Sequence, residues 1–197
     1  MSAAATHTER FLEEIRREFP SFRLIHKRDD RFSRLIDAAL RVVTLGGQRE
    51  YLTRYHTVIA GRLYVPACWD DEDDLDRVIV LRHERVHLRQ SRRYGFIGMA
   101  AIYLVPIFPL GLAYGRARIE WEAYTESLRA TAELRGLDAA RHPALRAHIM
   151  KQFTSAAYGW MWPFPGQLSR WYDEALAAIE AESSTGRGAA GYDAATP

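Results

Sequence analysis

His83-Glu84-Arg85-Val86-His87 is the stretch of this chain whose residue types and spacing could do chemistry. On a helix, positions four apart lie only about 40° from each other and one turn apart in height, so both imidazoles can reach one metal ion. Glu84 then points about 80° from their mean direction, beside the ion and not onto it. A carboxylate there is placed to accept a proton from a water that the metal activates. The bland alternative is a helix that merely buries two histidines and a glutamate. Val78, Ile79, Val80 and Leu81 just upstream leave that helix little solvent-facing surface, and burying the trio with no metal would be costly.

A catalytic zinc site needs a third protein ligand and keeps a fourth position for water. His7, His26, His56, His142 and His148 have no fixed short spacing to the motif. The better candidates are the acids that follow Arg118. If Glu120 is set at zero on a helical wheel, Arg116, Ala117, Ala123, Tyr124, Ser127, Thr131 and Leu134 fall within about 60° of it. Glu120 is the only acid on that mostly small and apolar face. Glu122 lies about 200° away among Arg118, Thr125, Arg129 and Glu133, and Glu126 about 120° away. Glu120 is therefore the expected ligand. A core ion pair with Arg116 is the competing role for Glu120, and Glu122 becomes the ligand if a bend in the helix rotates its faces.

With these residues in view, the chain resembles gluzincin-type zinc metallopeptidases, in which H-E-x-x-H on one helix is completed by a glutamate on a following helix. Glu120-Trp-Glu-Ala-Tyr124 is similar to the Glu-x-x-Ala-Asp stretch of the CAAX-processing and heat-shock membrane metallopeptidases, and departs from it at Tyr124, where that group has aspartate. The run from His83 to Gln90 also resembles small bacterial proteins with H-E-x-x-H-x-x-Q. The resemblance covers residues 55–134. It implies a zincin-like fold, a bound Zn2+, metal ligands His83, His87 and Glu120, and Glu84 as general base for water attacking a peptide carbonyl. It also implies a peptide or protein substrate, cleaved internally in preference to from an end, and strands within 57–65 able to bind substrate backbone by adding it to the sheet. Such chemistry calls for an oxyanion donor. Tyr124, one turn beyond Glu120, is the nearest choice, set against a role as a packed aromatic; His148 and Tyr158 are open alternatives. Cys68 could shield the metal in a latent form, but a small buried thiol is the expected role.

The elements that must position these residues are legible in outline. Thr6 with Glu9 is a capping-box pattern, and Phe11, Leu12, Ile15 and Phe19 form a helical stripe that Pro20 ends. A short strand is expected at 22–26 and a helix at 31–45. Residues 55–66 read as two β-rich runs joined by Ala60-Gly61, a tight hairpin. Acids from Asp70 to Asp76 precede the motif and Arg89, Arg92 and Arg93 follow it, the polarity that a helix dipole prefers. Further helices are expected at 117–134, 143–157 and 168–182, with an aromatic, proline-rich packed loop at 158–165. The fold class is thus α+β, predominantly α: a small β-hairpin or sheet packed on a central H-E-x-x-H helix and a following glutamate-bearing helix. Residues 1–182 form the expected single domain, and 183–197, small and polar, a disordered tail.

Composition narrows the function classes. The 197 residues are 48% apolar and 26% charged, and 27 basic against 25 acidic residues leave a net charge of +2. That balance, with no RNA or DNA motif in view, argues against a nucleic-acid partner. One cysteine excludes an internal disulfide and fits a reducing compartment. Glu9, Glu13 and Glu14 near the start are unlike a signal peptide, so a cytoplasmic location is expected.

One segment cuts across this. Residues 94–115 carry no charge, and as a straight helix they would be about 33 Å long, enough to span a bilayer. Yet two ligands on one zinc must approach within about 4 Å, at bond lengths near 2 Å, and His87 and Glu120 flank this run. The expectation is a hairpin turning near Pro106 and Pro109, packed in the protein or in peripheral contact with a membrane. Two other function classes therefore stand beside the peptidase: a non-catalytic zinc-binding scaffold, and a peripheral membrane factor.

Overall fold

The computed structural model describes residues 5–27, 56–59, 61–104, 114–155 and 161–185. The described chain is predominantly helical with a small three-stranded sheet. It divides into two compact units, residues 1–99 and 100–197. The expected helix at 31–45, the turn near Pro106 and Pro109, Tyr158 and the tail beyond residue 185 lie outside the described residues.

In the first unit, α1 (His7–Glu18) starts on the expected capping box: the Glu9 amide donates to Thr6 Oγ1 and the Thr6 amide to Glu9 Oε2. Strands β1 (Arg23–His26), β2 (Thr57–Ile59) and β3 (Arg62–Val65) make one sheet in the order β1-β3-β2. Pairing of β2 with β3 is antiparallel and places Ile59 opposite Arg62, so the connection is two residues. Gly61 sits there at φ 75°, where a side chain would be strained. β1 pairs with β3 in parallel. Both edges of β3 are thus occupied, so β1 and β2 are the outer strands of the sheet.

A 3-10 turn (Ala67–Asp71) leads to α2 (Asp74–Leu104). Asp73 caps this helix, accepting from the amides of Leu75 and Asp76. Asp74 accepts from the amides of His7 and Thr8, so one carboxylate serves the N-terminus of both α1 and α2. Val78, Leu81, Glu84 and Leu88, at spacings of three and four, are the inward stripe of α2. With Phe11, Ile15, Phe22, Leu63, Tyr64, Val65 and Trp69 the apolar ones are the buried apolar side chains among the described residues of this unit. The helix breaks at Gly95 (φ 68°, ψ 174°), a conformation close to glycine-only. The break falls where the charged residues end and the uncharged run begins. Beyond it Ile97 is 83% exposed. Among the described residues no helix is long and apolar enough to cross a membrane.

The second unit is helical. α3 (Tyr114–Arg135) is closed by Gly136 and followed by a short α4 (Leu137–Ala140), α5 (Pro143–Thr154) with proline in its first turn, and α6 (Pro165–Ser184). Ala117, Trp121 and Leu128 of α3 pack with Ile149 and Phe153 of α5, Met161 and Trp162, and Leu168, Tyr172 and Ile179 of α6. The expected packed loop is seen in part: Met161 and Trp162 are buried, and the Trp162 amide donates to the Phe153 carbonyl. Tyr172 closes the core with its hydroxyl on the Ala140 carbonyl at 2.9 Å.

Candidate metal centre

The motif lies on α2, in the part of the helix before Gly95. His83 is half-buried, while Glu84 and His87 are 7% and 8% exposed. The two rings stand 4.9 Å apart at 73°, with Nε2 of each turned towards the other at 3.2 Å. Two nitrogens bound to one tetrahedral zinc at bond lengths near 2 Å sit about 3.3 Å apart. The imidazoles are therefore already spaced as a pair of ligands.

Behind His87, Nδ1 donates to Gln90 Oε1 at 2.9 Å, and Gln90 is buried. Sequence reasoning took Gln90 only as part of a resemblance. Its position three residues after His87, on the same helical face, is the signal that it could touch the ring.

Arg85, the residue after Glu84, turns to α1. Its Nε donates to Glu18 Oε2 at 2.6 Å, and Arg89 joins the same carboxylate through Nε at 2.7 Å and Nη2 at 3.0 Å. These bonds, from Arg89 first and then Arg85, outweigh partial burial and hold the Glu18 pKa down to about 2. Phe11 and Phe19 lie under the guanidiniums of Arg85 and Arg92. The first helix is thus tied to α2 between the histidines, through Arg85, and just beyond them, through Arg89 and Arg92.

Glu120 is half-buried on α3, and its neighbours Ala117 and Ala123 are fully buried, as the wheel requires. Glu122 is exposed. Glu126 pairs with Arg129, which also binds Glu182. One ligand atom each from His83, His87 and Glu120 lie within 4.8 Å of one another, and among the described residues this is the group of three that could hold a metal. Two imidazoles and one carboxylate leave a fourth tetrahedral position open.

The remaining candidates each have neighbours of their own. The Tyr124 ring packs against Phe153 at 5.5 Å and adjoins the second unit's core. His148 is exposed on α5 beside Gln152, and His142 caps that helix by accepting from the Ala144 amide. His26 lies 3.9 Å from Asp70. His56 packs edge-on to Trp69 at 5.4 Å, and burial, helped by the charge of Lys27, pushes its pKa down to about 4. Cys68 corrects an expectation: the thiol is exposed, not buried. It sits on the 3-10 turn with its Sγ 3.6 Å from Glu72 Oε1, because Trp69, not Cys68, is the residue that turn buries. The partial loss of solvent at this exposed site and the Glu72 carboxylate push the thiol pKa up, away from the reactive thiolate.

Comparison with known proteins adds no relative: no protein-family model, no curated protein and no solved structure matches this chain.

Proposed function

We propose that this chain is a zinc-dependent peptidase of zincin-like fold, with His83, His87 and Glu120 as metal ligands and Glu84 as general base. The observation that carries the reading is the convergence of the three ligand atoms within 4.8 Å, beside a buried Glu84. A two-histidine, one-carboxylate set is the donor chemistry of catalytic zinc. Zinc bound there would supply Lewis-acid activation of a water and of the scissile carbonyl.

The chain's own residues supply the rest. Glu84 takes the proton from the attacking water and hands it to the leaving amine nitrogen. Its place on the inward stripe of α2 keeps it from bulk solvent, and Glu18 holds the neighbouring Arg85. Tyr124, its ring steadied by Phe153, is the candidate donor to the developing oxyanion. A peptide or protein is the proposed substrate, and casein serves as a general probe.

Two measurements test this reading. The purified protein should carry about one zinc per chain, and Glu84→Gln should keep that zinc while lowering hydrolysis of casein by roughly 100- to 10,000-fold. Absence of zinc sinks the reading. Zinc present with casein cleavage absent in both forms favours the scaffold, and cleavage unchanged by Glu84→Gln removes the base.

A further inference from the structure

Gln90 stands outside the ligand set, yet its contact with His87 decides which ring nitrogen faces the site. Both side chains are nearly inaccessible, at 4% and 8% exposure, so water does not compete for their bond. An amide oxygen only accepts hydrogen bonds, so the 2.9 Å contact with Gln90 Oε1 requires the hydrogen of His87 to be on Nδ1. A neutral imidazole carries one such hydrogen. Nε2 therefore presents its lone pair, and it does so towards His83 Nε2, 3.2 Å away.

We propose that Gln90 is a positioning residue that locks His87 in the Nδ1–H tautomer and so sets the metal affinity of the centre; this rests on the metal reading above. The helix makes the lock stiff, because residues three apart share a face and their backbones cannot drift independently. Partners of this kind, behind a ligating histidine, change metal affinity by about 10- to 100-fold when removed.

The test has two arms. Long-range proton–nitrogen NMR on the metal-free wild-type chain should show His87 as the Nδ1–H tautomer, and Gln90→Leu should shift it towards a mixture. Zinc titration should show Gln90→Leu binding about 10- to 100-fold more weakly than wild type, and Gln90→Glu, which keeps the acceptor, close to wild type. An Nε2–H tautomer in the wild type overturns the proposal even if Gln90→Leu fails to fold. Equal zinc affinity in Gln90→Leu and wild type overturns it too. A wild type that binds no zinc defeats the metal reading itself, an outcome separable from the other two.

Discussion

Buried polar side chains are where single residues leave measurable signatures in this molecule. His56 is held neutral by burial and by the neighbouring Lys27, whose fully buried ammonium donates to Thr57 Oγ1 at 3.1 Å. Its folded pKa of about 4 lies below the ordinary 6.5, so the unfolded chain binds the extra proton first. The stability it contributes is present above pH 6.5 and is lost as pH falls from there towards 4. Between pH 7.5 and 5 the wild type should lose on the order of 1–2 kcal/mol that a His56→Gln variant does not. Urea denaturation at the two pH values checks this, and a gap between the proteins that stays constant would refute it. His83 and His87 were readable as a facing pair because residues four apart share a helical face. Burial of His56 was not readable, since it comes from Trp69 and Lys27 packing around it.

Elements hold the motif by contacts distant in sequence. The clamp of Glu18 on Arg89 and Arg85 joins the last turn of α1 to the motif helix, and Asp74 joins their first turns. Glu18→Gln should destabilise the protein by about 1–2 kcal/mol near neutral pH, more than a lone surface pair, because two arginines share one carboxylate. A carboxyl with a depressed pKa contributes above its ordinary 4.5 and loses that contribution as pH falls towards about 2. The difference between wild type and Glu18→Gln in thermal unfolding should therefore shrink below pH 4.5. If it is the same at pH 7 and pH 2.5, the clamp is not what holds α1. Periodicity and capping made α1 itself legible from Thr6, Glu9, Phe11 and Ile15, whereas nothing in the sequence named Arg85 and Arg89 as the partners of Glu18. The same limit explains the sheet: alternation and Gly61 disclosed the β2–β3 hairpin, but not that β1 joins β3 in parallel.

At the scale of the whole molecule, the candidate ligands lie on two helices, before and after an uncharged run. That Glu120 is the acid grouped with the two histidines was legible before any coordinates, because it alone among the nearby acids shares a face with Ala117 and Ala123, both fully buried. The bend at Gly95 was not, since a glycine inside a helical pattern is usually tolerated in place, and here it marks the end of the straight helix. What binds these parts into one account is the claim that His83, His87 and Glu120 hold a single zinc. Zinc titration of wild type, Glu120→Gln and Glu122→Gln tests it directly. The account predicts one zinc per wild-type chain, an affinity about 100-fold weaker or worse for Glu120→Gln, and no change for the exposed Glu122→Gln. Equal binding by wild type and Glu120→Gln, or loss on Glu122→Gln alone, would contradict it.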